Sequence, residues 1–380
     1  MKKILFLLIL IFLTIATTNK SFAIYDPLSV KNNKFGIHIL FPEELSEAAT
    51  LVNSSGGDWG YVTIPIQASD RDLEKWQTFM NNSKKNHLIP IIRIATNGDY
   101  FEKAFWSKPT NYDILDFANF LNSLNWPIRN RYVIVYNEVN RADEWGGTPS
   151  ASEYAEILNY AADVFKQKNE DFFIISAGFD NASINIPGQS VEQFTYIRQM
   201  ENSLPGIFSK IDGISAHAYP NPAFSSPPSS SRTGIYSFYY QKQLIESYAN
   251  KNMPVFITET GWTSRQVSQE QQSIYYKEAF ENFWNDKTVL AVTPFIFTAN
   301  QGSFMQFSFI KNGEKTKIYN TYKSILKVRG QPVLSKDILN ISDLQFIYKT
   351  KEFNNKNDFN SVFNNVSKSS KTFFKWLLKV

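Results

Sequence analysis

The chain has 380 residues, 43% of them apolar, with 39 basic and 35 acidic side chains. This is enough apolar material for one large core or two modest ones, and a net charge this small gives no reason to expect a nucleic-acid partner. The absence of cysteine excludes a disulfide framework, a thiolate nucleophile and a thiolate metal site.

The chain opens on "MKKILFLLILIFLTIATTNKSFA", with two lysines, an apolar run from Ile4 to Ile15, and small residues at Ser21 and Ala23. That order reads as a signal peptide over residues 1–23, cleaved after Ala23, which predicts a secreted or cell-envelope protein. The run is shorter than the roughly 20 residues a bilayer span needs, and the alternative is retention as an N-terminal anchor. Loss of Lys2, Lys3 and Lys20 leaves 36 basic against 35 acidic residues.

Eight short apolar or β-branched runs follow: "KFGIHIL" (34–40), "WGYVTIPI" (59–66), "LIPIIRIA" (88–95), "RYVIVYNE" (131–138), "DFFIISAG" (171–178), "IDGISAHAY" (211–219), "MPVFITET" (253–260) and "VLAVTPFIF" (289–297). Near-continuous apolar strands are expected where helices cover both faces of a sheet. Helical spacing lies between the runs: Ser150–Glu153 and Ser190–Gln193 have the spacing of a capping box, and Tyr154, Ile157, Leu158, Ala161, Ala162 and Phe165 share one helix face. Eight such units predict an α/β protein, a (β/α)8 TIM barrel forming a single catalytic domain over residues 24–335. A doubly wound open sheet is the competing reading. Its fingerprints are missing: the chain holds no G-x-G-x-x-G, phosphate-binding loop or G-x-S-x-G elbow.

Residues 336–380 form a short basic C-terminal tail. From Gln345 onward it holds seven lysines and two acids, with Phe359, Val362, Phe363, Val366, Phe373 and Leu377 at helical spacing. It reads as a tail helix docked on the barrel or partly disordered, or as an amphipathic helix making peripheral contact with an anionic membrane surface, a contact the N-terminal segment could also make.

In a (β/α)8 barrel, reactive side chains project from the C-terminal strand ends. The fourth run ends in Asn137 and Glu138, the seventh in Glu259, and the sixth in His217 and Tyr219, two residues apart and so on one face. The third carries Arg93 and the first His38. Two carboxylates converging on one mouth suit glycoside cleavage, one protonated to assist the leaving oxygen and one ionised to attack the anomeric carbon. Asn137 and Glu138 are neighbours and would point oppositely in an ideal strand, so both reach the site only if the strand end is distorted. Trp145, on the loop after Glu138, and Trp262, after Glu259, are candidate sugar platforms. Asp143 and Glu144 read as solvated loop charges. The histidines are His38, His87 and His217 alone and no H-E-x-x-H occurs, so no metal site is expected.

"YNEVN", "HAY" and "TETGW", placed after the fourth, sixth and seventh strands, resemble the clan A glycoside hydrolases, the group that includes the family 5 cellulases and mannanases. The resemblance covers residues 34–330. It implies a retaining double-displacement enzyme acting on a β-linked glycan without a cofactor, with Glu138 as acid/base and Glu259 as nucleophile. It further implies that Asn137 bonds the sugar 2-hydroxyl, that Tyr219 contacts the nucleophile and that His217 lies near the same oxygens. Where family 5 commonly places a Trp after the eighth strand, this chain has Phe295 and Phe297, of which Phe297 is taken as substrate-binding; a Phe stacks on a sugar face with less area and no N–H donor. The long Pro/Ser-rich stretch "PNPAFSSPPSSSRTG" is expected to border the groove. The readings from other classes are a catalytically inactive carbohydrate-binding barrel and an envelope-attached scaffold.

Overall fold

A computed structural model describes residues 24–97 and 105–335. The expected signal segment, 1–23, and the expected tail, 336–380, lie outside the described residues. Among the described residues no helix is long and apolar enough to cross a membrane.

All eight expected strands form: β1 Gly36–His38, β2 Gly60–Gln67, β3 Leu88–Ala95, β4 Arg131–Val135, β5 Phe172–Ile175, β6 Ile214–His217, β7 Val255–Glu259 and β8 Val289–Val292. They alternate with helices α1 Leu45–Val52, α2 Leu73–Lys85, α3 Asn111–Ser123, α4 Ala151–Lys168, α5 Gln193–Ser203, α6 Ser237–Ala249, α7 Gln269–Glu278 and α8 Lys317–Ser324. Every ladder within β1–β8 is parallel. The circuit is not one uninterrupted ladder. It consists of two arcs, β1 to β5 and β6 to β8, which meet at single bridges, Ile175 to Gly213 and Phe35 to Val292. At the second seam His38 N–H donates to Pro294 O and Phe297 N–H to His38 O, so the arcs are joined by backbone bonds beyond the regular strands.

The strands owe their buried character to period-two alternation between two apolar shells. Tyr61, Ile89, Ile91, Tyr132, Ile134, Phe173, Ile175 and Phe256 fill one cluster, while Val62, Ile64, Ile92, Ile94, Val133, Val135 and Ile174 join the larger cluster that takes in the helices. Arg93 continues the Ile89–Ile91 alternation and so faces the barrel interior.

Helix starts follow their caps. Ser150 accepts from Glu153 N–H at the head of α4, as its spacing predicts. The second expected box fails: Glu192 caps α5 through its carboxylate, and Ser190 is instead tied into the preceding turn, its hydroxyl donating to Ile184 O. From α4, the Tyr154 hydroxyl donates to Val135 O and accepts from Ala177 N–H, pinning the ends of β4 and β5 together.

Candidate active site

The β4 strand ends in a backbone distortion. Tyr136 and Glu138 take φ of 68° and 33°, in the left-handed region that side chains with a Cβ rarely occupy, costing on the order of 1–3 kcal/mol per residue. Glu138 N–H is caught by Gly178 O at 2.9 Å. This kink lets neighbours Asn137 and Glu138 both face the cleft. A second irregularity acts on β6: the β6–β7 register shifts between Ala216 and His217, placing His217 beside Glu259.

The two carboxylates lie in different surroundings. Glu259, 7% exposed, accepts on Oε1 from Arg93 Nη1 and on Oε2 from the Tyr219 hydroxyl at 3.0 Å. Arg93 Nη1 also donates to Asn137 Oδ1 at 2.7 Å. Burial by itself would raise the Glu259 carboxyl, but His217 and Arg93 outweigh it and hold it well below the ordinary carboxylate range. Glu138 Oε1 lies 2.8 Å from His217 Nδ1, and Glu138 Oε2 accepts from Arg141 Nη1 at 3.2 Å. His217 Nδ1 is 3.8 Å from Glu259 Oε2, so one imidazole serves both carboxylates. Burial opposes its charge, yet Glu259 and Glu138 prevail and raise its pKa.

One donor atom from each of Glu138, His217 and Glu259 lies within 4.8 Å of the other two. That set also offers the donor types of a small cation site, which residue counts and spacing did not suggest. The Arg93 guanidinium on Glu259 and the mutual bonds of His217 and Glu138 compete with any such ion.

His38 is fully buried with its Nε2 3.8 Å from Glu259 Oε1. Burial, then the Arg93 charge, pushes it down to about 3, so it stands neutral at neutral pH and contributes no charge to Glu259. Its ring meets Phe295 edge-on.

These groups open into a cleft of about 370 Å³ with two unlike walls. One is charged: Glu138, Arg141, Asp143, Glu144 and Asp180. The other is aromatic: Tyr219, Phe224, Phe295, Phe304 and Phe307, packed as an apolar cluster with Leu40. Phe105 and Trp106 complete the rim. A larger hollow, about 480 Å³, lies at the opposite end of the barrel around Lys34 and Phe35. It carries no comparable carboxylate pair, so the reactive groups mark the smaller cleft.

Of the expected site residues, the structure brings Asn137, Glu138, Glu259, His217, Tyr219, Arg93 and His38 together, and it places three elsewhere. Trp145 is buried, donating its Nε1–H to Glu153 Oε2 and packing on Tyr136 and Tyr154. Trp262 is buried against Tyr275, Tyr276 and Trp284, its Nε1–H given to Ser226 O. Phe297 is buried with its ring tilted against that of Tyr319, while Phe295 takes the cleft position. An indole or phenyl ring buries readily wherever a pocket is offered, so all three became supports of the barrel mouth. Glu144 departs from its reading in the other direction: it is half-buried in the cleft wall, and withdrawal from water followed by the Glu138 charge pushes its carboxyl up to about 8. Arg141 was missed, although it lies three residues after Glu138 in a turn where its N–H returns to Glu138 O. Trp106, Phe224, Phe304 and Phe307 carried no periodic signal. The Pro/Ser-rich loop does border the cleft, through Phe224, whose carbonyl accepts from Thr263 N–H.

No protein-family model matches the sequence, and no curated protein matches it. Solved structures do match in fold. A family 39 glycoside hydrolase from Bacteroides cellulosilyticus superposes with a TM-score of 0.56 at 17% identity over 80% of this chain and 65% of that one. A family 39 beta-xylosidase from Caulobacter crescentus gives 0.56 at 15% identity over 81% and 74%. The chain shares the barrel fold of these glycoside hydrolases. A family 5, subfamily 18 structure from Bifidobacterium longum gives 0.54 at 12% identity over 77% and 78%. The chain thus spans just under two thirds of the first of these structures, and at such identities the likeness is one of architecture.

Proposed function

We propose that this protein is a retaining glycoside hydrolase that cleaves β-glycosidic bonds of a polysaccharide or oligosaccharide, with Glu259 as nucleophile and Glu138 as acid/base. The observation that carries this reading is the spacing of the two carboxyl groups. An oxygen of each lies within 4.8 Å of the other, near the ~5–5.5 Å of double displacement and short of the ~6.5–9.5 Å that leaves room for a water between them.

The surroundings divide the roles. Glu259, held ionised by Arg93 and steadied by the Tyr219 hydroxyl, presents a carboxylate to the anomeric carbon. Glu138, at the edge of the charged wall, meets the leaving oxygen and afterwards the incoming water. Asn137, fixed by Arg93, is positioned to bond the sugar 2-hydroxyl. The aromatic wall supplies stacking surface for apolar sugar faces. Export by the N-terminal segment, and envelope contact through that segment or the basic tail, belong to the same proposal; deletion of residues 345–380 should lower membrane partitioning without changing turnover.

Incubation with a panel of β-linked polysaccharides and aryl β-glycosides, with the first-formed anomer read by NMR, tests the reading. The β anomer is expected; a first-formed α anomer would exclude double displacement at these two residues.

A further inference from the structure

Both oxygens of the Glu138 carboxylate are engaged at rest, Oε1 with His217 Nδ1 and Oε2 with Arg141 Nη1. With Nδ1–H of His217 as the donor, both oxygens already accept from the protein, so a proton placed on either competes with one of these bonds. The first half of a double displacement nonetheless consumes a proton on this side of the cleft.

Glu144 lies in the same wall. Asp143 and Asp180 both engage Arg141, at 2.5 and 3.5 Å, whereas among the described residues no hydrogen bond or ion pair occupies the Glu144 carboxyl. The charges that face Glu144 are the carboxylates of Glu138 and Asp143 and the guanidinium groups of Arg93 and Arg141. Burial and the Glu138 charge favour its protonated form at neutral pH, an effect tempered by the surface it keeps open to the cleft. Two carboxyl groups in one wall with a single proton between them behave as a pair.

Resting on the hydrolase reading, we propose that Glu144 is the proton-holding partner of Glu138. In the first half-reaction, Glu259 bonds to the anomeric carbon as the bond to the leaving oxygen breaks. That oxygen takes the proton that Glu144 passes through Glu138, leaving Glu144 ionised and Glu138 without a proton. In the second half-reaction, water bonds to the anomeric carbon and the ester to Glu259 breaks; the water's proton passes through Glu138 back to Glu144. One water is consumed, and both carboxyl groups return to their starting states.

The test compares E144Q with the wild-type protein on two aryl β-glycosides of one sugar. One bears a dinitrophenolate leaving group, which departs without a proton, and the other a phenol of ordinary acidity. E144Q should lower kcat/KM for the second on the order of 10²-fold, at least ten times the loss on the first, and should move the alkaline limb of the pH profile down by more than about one unit. E144D, which keeps a carboxyl, should fall between in both respects and serves if E144Q folds poorly. Equal losses on the two glycosides, or an unmoved alkaline limb, would overturn the proposal while leaving the hydrolase reading intact. Wild-type inactivity on both glycosides and on the polysaccharide panel would overturn the hydrolase reading and this inference with it.

Discussion

The two ends of the barrel hold buried charge in opposite ways. At the N-terminal end, Lys34 Nζ donates to the carbonyls of Trp284 and Asp286, and Lys327 Nζ donates to those of Tyr322 and Ile325 beneath the ring of Phe35. At the C-terminal end, Arg93, Glu259, His217, Glu138 and Arg141 bond chiefly to one another's side chains. A main-chain carbonyl is a fixed acceptor, so the lysines act as staples. Side-chain partners can be redistributed when a ligand enters, so the opposite end can do chemistry. The contrast teaches that burial of charge alone does not mark a site; the identity of the partner does.

Breaking the C-terminal network should cost most. E259Q is expected to lower hydrolysis by on the order of 10⁴-fold or more while glycan binding persists, read by turnover and calorimetry side by side. R93M strips Glu259 of its fixed cation. It should cost about 3–5 kcal/mol of stability, seen in denaturant unfolding, because an unpaired charge is left buried.

The pH windows of the two ends sharpen the contrast. Glu259 ionises near 2 when folded and near 4.5 otherwise, so between those values the unfolded state holds more protons and stability falls as pH drops. E259Q should flatten that acid slope. Lys327, pushed down to about 7 by burial from an ordinary 10.5, gives stability that rises with pH between those two values, for the same reason of sign. K327M should flatten the alkaline slope and leave kcat/KM within about twofold of wild type, since an ordinary change remote from the reacting groups has no route to the transition state.

A smaller effect tests how the site is held. A Cβ at Gly178 would fall 2.1 Å from His217 Cδ2, and Gly178 O also anchors Glu138 N–H. G178A should cost about 10–100-fold in kcat/KM by displacing the imidazole, and little beyond H217A when the two are combined, a non-additivity read from a double-mutant cycle. The smallest effect belongs to the loop support: W262F, losing the bond to Ser226 O, should cost about 1 kcal/mol and raise KM more than it lowers kcat.

The barrel was legible because its strands are apolar on both faces, and the carboxylate pair because each member ends such a strand. The adjacency of Asn137 and Glu138 in "YNEVN" marks a distorted strand end without showing that it turns at Tyr136, and the register shift at His217 leaves no local mark in "HAY". The aromatic wall was hidden because Phe224, Phe304 and Phe307 come from connections with no period to betray their direction. Trp145 and Trp262 were misplaced because a lone loop indole looks the same whether it faces a sugar or a core. Glu144 was misread because its surroundings come from β3 and the turn after β4, distances the sequence does not encode.

The most direct measurement is to trap the glycosyl-enzyme with a mechanism-based fluoroglycoside and map the label by peptide mass spectrometry. The account predicts one adduct, on the peptide at Glu259, absent in E259Q. A label on Glu138 or another residue, or steady retaining turnover by E259Q, would contradict it.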